Sequence, residues 1–165
     1  MRPGDELPPL SVPVTRTLVV AGALASRDFQ DVHHDAEAAR AKGSPDIFMN
    51  ILTTNGLVGR YITDHFGADA TLVRVSIRLG VPNYPGDVLV LSGRVVSVSP
   101  AREAGRCAVE VAVAGTNRLG RHVTGTVGVT LPAAGVNGVT GAAGASGVTG
   151  AAGAAGASGV TGGGS

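Results

Sequence analysis

The residues most able to do chemistry lie in one short segment, residues 26–35, which reads Ser-Arg-Asp-Phe-Gln-Asp-Val-His-His-Asp. Asp28 and His33 are five residues apart in this segment. In a regular helix that spacing separates their directions by about 140°, so a turn must bring them together. Asp31 lies between them and is of a turn-forming type. A carboxylate and an imidazole that converge can hold a water molecule and exchange protons with it.

A plainer interpretation of this segment stays open on the residues alone. Asp28 and Asp35 are both of a type that caps the N-termini of helices, and the histidines beside them could simply be solvated. Asp35 is expected to cap a helix rather than to act in catalysis, and His34 is expected to point away from its neighbour. The two other histidines, His65 and His122, stand apart from the segment and are predicted to lie at the surface.

Metal-dependent and nucleophilic chemistry are both disfavoured by the spacing of the residues. His33, His34 and Asp35 are adjacent, whereas the ligands of a metal ion converge from wider spacings, and no cysteine accompanies them. The single cysteine, Cys107, is followed by apolar residues and is predicted to be a buried structural thiol. The sequence therefore predicts no metal site.

Composition bounds the class of protein. The 165 residues suffice for one domain with a sizeable core, and the net charge of +1 indicates no nucleic-acid partner. Aromatic residues make up only 3% of the chain, so stacking platforms for bases are not expected. No apolar run reaches the roughly 18 residues of a membrane span, and the N-terminal residues lack the order of a signal peptide. A cytoplasmic protein is expected.

The N-terminal third of the chain predicts short elements around the segment. Four prolines in residues 1–13 indicate an extended lead-in without ladder hydrogen bonds. The β-branched residues of 15–20 predict a strand, and residues 22–26 a short helical turn. Asp35 as N-cap and Gly43 as stop bracket a predicted short helix.

The rest of the folded part predicts one long helix followed by strands. Apolar residues recur at close to helical period over residues 48–66, and Gly67 ends the pattern. Four strands are predicted after it, at residues 71–79, 88–98, 107–116 and 123–131. Because no helix lies between these strands to make a crossover, they are expected to pair antiparallel as a meander. Residues 117–120 are predicted to form a hairpin connection.

The segment also resembles a known family. Asp-x-Asn-Pro-x-His-x-Asp, followed by a helix of small residues, is typical of the MaoC-like (R)-specific enoyl-CoA hydratases. Asp28, His33 and Asp35 match three positions of this motif, whereas Gln30 and Asp31 replace its Asn-Pro. The resemblance implies an α+β hotdog fold, in which an antiparallel sheet wraps around a long central helix.

The likeness extends over roughly residues 14 to 131. The segments that carry it are 27–35, 46–48, 50–53, 56–58 and 78–82. Together they resemble the small subunit of an actinobacterial hydratase that acts on a shortened steroid side chain held as a CoA thioester. The resemblance implies hydration of an α,β-unsaturated acyl-CoA in steroid or cholesterol degradation, with CoA as part of the substrate and no separate cofactor.

The resemblance also implies roles for three residues. Asp28 and His33 would bind a water molecule and add its elements to one face of the double bond. The main-chain N–H of Asn50, at the start of the long helix, would hold the thioester oxygen, because a helix N-terminus suits a developing negative charge. The family usually has glycine at that position.

Two other functions and two assemblies remain open. A hotdog thioesterase would hydrolyse the thioester, and a non-catalytic subunit would only bind acyl-CoA; the Asp-x4-His segment favours the hydratase. The resemblance implies that two such domains join their sheets edge to edge. The small subunit that the chain resembles pairs with a larger MaoC-like subunit, so the resemblance implies such a partner in an α2β2 heterotetramer, and a homodimer is the alternative.

The predicted hotdog domain spans residues 1–132, and the composition changes abruptly after it. Glycine occurs at every third position from Gly135 to Gly162, and residues 133–165 contain no charge, proline or aromatic residue. This spacing is that of a collagen triple helix, which depends on proline. A disordered tail outside the active site is the favoured interpretation.

Overall fold

The computed structural model describes residues 1–136. Its elements in chain order are β1 (Glu6–Pro13), α1 (Arg16–Ala25), a 3-10 turn (Asp31–His33), α2 (Ala36–Ala41), α3 (Ile51–Phe66), β2 (Thr71–Leu79), β3 (Val88–Pro100), β4 (Arg106–Asn117), β5 (Gly120–Pro132) and α4 (Ala133–Val136). The predicted α+β hotdog fold is confirmed. Residues 133–136 of the predicted tail form the short helix α4, and residues 137–165 lie outside the described part of the chain.

The five strands form one antiparallel sheet in the order β1-β3-β4-β5-β2. The predicted antiparallel pairing and the 117–120 hairpin are confirmed, but the predicted meander holds only for β3, β4 and β5. Strand β2 pairs with β5 instead of β3. The connection between β2 and β3, residues 80–87, is too long for a tight hairpin, and it carries the chain across to the place between β1 and β4.

The prediction that residues 1–13 lack ladder hydrogen bonds was wrong. Strand β1 pairs antiparallel with β3 at one edge of the sheet, with a register shift between Leu7 and Leu10. Pro8 and Pro9 occupy that shift. An edge strand with a bulge tolerates proline, because the missing N–H groups need not face a partner strand.

The strand predicted at residues 15–20 is instead the first half of helix α1, and the turn predicted at 22–26 is its end. Thr15 caps the helix by accepting a hydrogen bond from the Leu18 N–H at 3.0 Å. Val19 and Ala23, four residues apart, lie on one helix face and are fully buried. Burial of that face outweighs the β propensity of the valines and threonines.

Helix α3 is the central helix around which the sheet curves. It begins at Ile51, three residues later than predicted, because Asn50 caps it, and it ends at Gly67 as predicted. Its buried face carries Thr54, Leu57, Val58, Gly59, Tyr61 and Ile62. The Tyr61 hydroxyl donates to the Leu7 carbonyl of β1 at 3.3 Å, and burial raises the pKa of Tyr61 to about 12.

The surface position predicted for His122 was wrong, because this residue is only 1% exposed. Its Nδ1 lies 2.6 Å from the Val81 carbonyl and its Nε2 lies 2.9 Å from the Thr54 hydroxyl. Both ring nitrogens therefore have partners inside the fold, and burial lowers the pKa of His122. His65 was predicted to be exposed and Cys107 to be buried, and both are partly buried.

No helix within residues 1–136 is long and apolar enough to cross a membrane.

Candidate active site

Asp28 is placed by the way in which helix α1 ends. The Arg27 N–H donates to the Leu24 carbonyl at 3.1 Å, and the Asp28 N–H donates to the Ala23 carbonyl at 2.9 Å. This pair of bonds is a Schellman motif, which needs a left-handed residue after the helix cap. Arg27 takes that conformation, with φ at 56°, although it is not glycine. The motif turns the chain sharply and leaves the Asp28 side chain beside the helix end.

His33 is placed by the 3-10 turn, in which Asp31 is the first residue. The Phe48 N–H donates to the Val32 carbonyl at 3.2 Å, which holds the turn against the approach to α3. The Nδ1 of His33 lies 2.7 Å from the Phe48 carbonyl. Because a carbonyl can only accept, Nδ1 carries a proton, and Nε2 is the ring nitrogen left to face the site.

Asp28 and His33 meet across this turn. The Oδ2 of Asp28 lies 3.3 Å from the Nε2 of His33, and the two side chains are 16% and 7% exposed. The other carboxylate oxygen, Oδ1, lies 3.4 Å from the Gln30 N–H. The structure thus brings together the carboxylate and the imidazole that the sequence singled out, in a largely water-excluded position.

The side chain of Asn50 also reaches this pair, and the sequence analysis missed it. Its Oδ1 accepts from the Thr53 N–H at 2.9 Å, which caps helix α3. Its Nδ2 donates to the Ser26 hydroxyl at 2.9 Å and to Oδ2 of Asp28 at 3.0 Å. Asn50 is 2% exposed. An asparagine directly before a helical pattern is a recognisable N-cap, but nothing in the sequence shows that its amide points at Asp28.

The pKa of Asp28 is held below its ordinary value. The main cause is the hydrogen bond from the Asn50 amide, with smaller contributions from the Gln30 N–H and the charge of His33. Partial burial works in the opposite direction but does not outweigh these donors. Asp28 is therefore a carboxylate anion at neutral pH.

The neighbouring polar residues of the segment make contacts away from the Asp28–His33 pair. His34 is exposed, and its Nε2 lies 3.3 Å from the Phe29 carbonyl. Asp35 caps helix α2, as predicted, by accepting from the N–H groups of Glu37 and Ala38. Asp31 pairs with Lys42 at the surface, at 2.7 Å from Oδ2. None of these contacts involves the Asp28–His33 pair.

The start of helix α3 offers main-chain donors next to the pair. The first N–H groups of a helix have no acceptor within the helix. The Asn50 side chain takes up only the N–H of Thr53. No backbone hydrogen bond among residues 1–136 uses the N–H of Asn50 itself.

Exposed apolar side chains lie on the helix ends and the loop that flank the pair. Leu24 belongs to the last turn of α1, Phe29 follows Asp28, and Ile51 and Leu52 begin α3. Each is between 48% and 67% exposed. Apolar surface of this kind is typical of a place where a ligand or another chain binds.

Within residues 1–136, no three His, Cys, Asp or Glu side chains are grouped so that they could hold a metal ion.

No protein-family model matches the chain. A curated relative does: the 3-oxo-4,17-pregnadiene-20-carboxyl-CoA hydratase beta subunit of Mycobacterium tuberculosis is 47% identical over 128 residues, which cover 78% of this chain and 95% of the relative. A chain in the crystal structure of the ChsH1-ChsH2 complex from M. tuberculosis is also 47% identical. It has a TM-score of 0.71 and is matched over 78% of this chain and 97% of its own length.

More distant structures share the fold. The R-hydratase PhaJ1 from Pseudomonas aeruginosa, at 20% identity, has a TM-score of 0.71 over 80% of this chain and 83% of its own. The (R)-hydratase from A. caviae, at 19% identity, has a TM-score of 0.68 over 80% of this chain and 98% of its own. The chain therefore belongs to the MaoC-like hydratase family, in the group of the 3-oxo-4,17-pregnadiene-20-carboxyl-CoA hydratase beta subunit.

Proposed function

We propose that this chain is the catalytic subunit of an enoyl-CoA hydratase, and that its substrate is an α,β-unsaturated acyl-CoA of a steroid side chain. The observation that carries the proposal is the largely buried pair of Asp28 and His33, with 3.3 Å between Oδ2 and Nε2. The name of the M. tuberculosis relative supports the steroid substrate class. A reaction in the cytoplasm is proposed with it, and the free thiol of Cys107 fits a reducing compartment.

The proposed role of the pair is to position and activate water. Asp28 is anionic and accepts a hydrogen bond from the water, while Nε2 of His33 faces the same position because Nδ1 is committed to the Phe48 carbonyl. As the water oxygen bonds to the β-carbon, one water proton passes to the pair. A proton from the pair passes to the α-carbon, so the elements of water are added to the double bond and the pair is restored.

The proposed oxyanion donor is the main-chain N–H of Asn50. Negative charge develops on the thioester oxygen while the β-carbon is attacked, and a fixed donor at a helix N-terminus stabilises that charge. Support comes from the position of Asn50 as the N-cap of α3, with its side chain in contact with Asp28. That contact places the residue that carries the main-chain N–H beside the pair.

One assay separates hydration from the alternative thioester hydrolysis. The protein is mixed with an enoyl-CoA, and the ultraviolet band of the conjugated thioester is followed beside a free-thiol reagent. Loss of the band without thiol release is the expected result. Thiol release would show a thioesterase, and no change in either signal, with the partner subunit present, would show a binding subunit.

We also propose that the working enzyme is an α2β2 heterotetramer with a larger MaoC-like subunit. The curated relative is named as a beta subunit, and the similar crystal structure is that of a two-protein complex. Strand β2 fits such a junction, since it stands at one edge of the sheet and Val73 is 66% exposed. Size-exclusion chromatography of the chain with and without that subunit tests this proposal, and a fully active homodimer would refute it.

A further inference from the structure

We propose that the carboxamide of Asn50 is a positioning residue for hydration: it fixes the Asp28 carboxylate in the orientation that faces His33. This inference rests on the proposed function. It goes beyond it because the proposed function uses only the main-chain N–H of Asn50. Where the family usually has glycine, this side chain adds a donor to the reacting carboxylate.

The hydrogen bonds of Asn50 leave its amide only one orientation. The Ser26 hydroxyl donates to the Gly22 carbonyl at 2.7 Å, so toward Asn50 it acts as an acceptor. Oδ2 of Asp28 is also an acceptor. The atom of Asn50 that faces both must therefore be the NH2 group, and its two protons match the two acceptors. The remaining oxygen accepts from the Thr53 N–H at 2.9 Å, so both amide protons and the amide oxygen have hydrogen-bond partners.

The backbone that carries this amide is held as well. The Asn50 carbonyl accepts from the Thr54 N–H at 3.2 Å and lies 3.3 Å from the Thr54 hydroxyl. That hydroxyl is fully buried and lies 2.9 Å from Nε2 of His122. Asn50 is thus anchored in the core on one side and presents a fixed donor to Asp28 on the other.

The consequence for Asp28 is both geometric and electrostatic. Its Oδ2 accepts from the Asn50 amide at 3.0 Å and lies 3.3 Å from Nε2 of His33. The charge of His33 acts on Asp28, α3 contributes the neutral amide of Asn50, and the nearby Asp31 is paired with Lys42. The amide is also the main cause of the lowered pKa of Asp28. Without it, the carboxylate would lose the shorter of the two contacts of Oδ2 and would be easier to protonate.

Asn50→Gly separates the side chain from the main-chain donor. Glycine keeps the N–H and is accepted at a helix N-cap, but it removes the amide. We expect kcat to fall by about 10²-fold, the scale of a misplaced catalytic group, with little change in KM. We expect the acid limb of the kcat/KM profile to move to higher pH.

Asn50→Asp provides a matched second variant. Aspartate keeps the shape and the cap of helix α3, but it places an acceptor and a like charge against Asp28. The acid limb should then move further than in Asn50→Gly, because two adjacent carboxylates raise the pKa of one of them.

Thr15→Gly is the control for the loss of a cap alone. It removes one hydrogen bond, from the Leu18 N–H, at the far end of the helix that leads to Asp28. We expect its melting temperature to fall about as far as that of Asn50→Gly. The acid limb of its kcat/KM profile should not move.

A readout independent of turnover completes the test. Titration of the Asp28 carboxyl carbon by NMR should show a higher pKa in Asn50→Gly than in the unchanged chain. An unchanged Asp28 titration and acid limb in Asn50→Gly, with loss of activity only in step with stability, would overturn the inference. If the unchanged chain, with its partner subunit, fails to hydrate any enoyl-CoA while the titration shifts as expected, then the proposed function fails and the contact between Asn50 and Asp28 stands.

Discussion

At the scale of single residues, the geometry of the site depends on a few groups whose partner or backbone conformation is fixed by the fold. The carbonyl of Phe48 determines which nitrogen of His33 faces Asp28. Arg27 contributes only its backbone, in a conformation that costs an L residue about 1–2 kcal/mol. The site is therefore built by backbone groups as much as by the side chains of Asp28 and His33.

Arg27→Gly tests the cost of that conformation. Glycine adopts positive φ without a Cβ clash, so we expect the free energy of unfolding to rise by about 0.5–1 kcal/mol after the entropy of glycine is subtracted. Chemical denaturation measures the change. Arg27→Ala is the control, since it removes the same charge but keeps the Cβ, and it should give no such gain. Equal gains in both variants would show that the charge, and not the backbone, is responsible.

The pairing of Asp28 with His33 could be predicted from the sequence, whereas the contacts that hold the pair could not. Asp28 and His33 stand five residues apart in a recognisable segment, so local spacing was informative. Asn50 stands 22 residues from Asp28 along the chain, so its amide meets the carboxylate only after α1 and α3 have packed together. The prediction that His122 lies at the surface failed for the same reason, because its partners Thr54 and Val81 lie far from it along the chain.

At the scale of elements, the close approach of α1 to α3 sets the geometry of the site. A Cβ at Gly22 would lie 2.2 Å from the Thr53 hydroxyl oxygen, so only glycine lets the two helices come this near. The Ser26–Asn50–Asp28 hydrogen bonds span the same junction. Any widening of it would separate Asp28 from its donor.

Gly22→Ala should therefore lower both stability and hydration. Overpacking of this kind costs about 1–3 kcal/mol, and the shift of α1 carries Asp28 with it. The matched control is Gly56→Ala on the open side of α3, where a Cβ meets nothing within 4 Å among the described residues. That change should stabilise the chain by up to about 1 kcal/mol. A Gly22→Ala variant as stable and active as Gly56→Ala would contradict this account of the junction.

The buried His122 makes the stability of the fold depend on pH. Its pKa is lowered in the folded chain, so the unfolded chain binds the proton more readily. Stability is then complete above the unfolded value of about 6.5 and falls as the pH drops below it. Half-buried His65 acts in the same direction. Denaturation between pH 7.5 and 5 should show this slope in a His65→Gln background, and a flat profile there would contradict it.

The long helix and four of the strands could be predicted from periodicity, but β1 and α1 could not. The four prolines of residues 1–13 argued against a strand there, and β1 tolerates proline only because it lies at the edge of the sheet. The valines of α1 favoured a strand locally, and only burial of Val19 and Ala23 makes a helix the better solution. The pairing of β2 with β5 depends on where the chain crosses the sheet, and no local sequence pattern indicates that position.

At the scale of the whole molecule, the folded part and the Gly-rich segment are expected to be independent. Residues 137–165 contain no charged, aromatic or proline residue that could dock on the sheet. A chain that ends at Val136 should keep its melting temperature within a few degrees and its full hydration rate. Differential scanning calorimetry and the hydration assay check this. A larger fall in the melting temperature would show that the segment contributes to the fold or to the assembly.

The central claim is that Asp28 and His33 add water to an enoyl thioester, and single-site variants in the assembled complex test it most directly. Asp28→Asn and His33→Ala should each lower kcat by about 10²–10⁴-fold, the range for general acid–base groups. Their melting temperatures should stay close to that of the unchanged complex. His34→Ala is the control, and it should retain most of its activity because its ring is exposed and turned toward the Phe29 carbonyl. Near-normal hydration in either Asp28→Asn or His33→Ala, or equal losses at His33 and His34, would contradict the account.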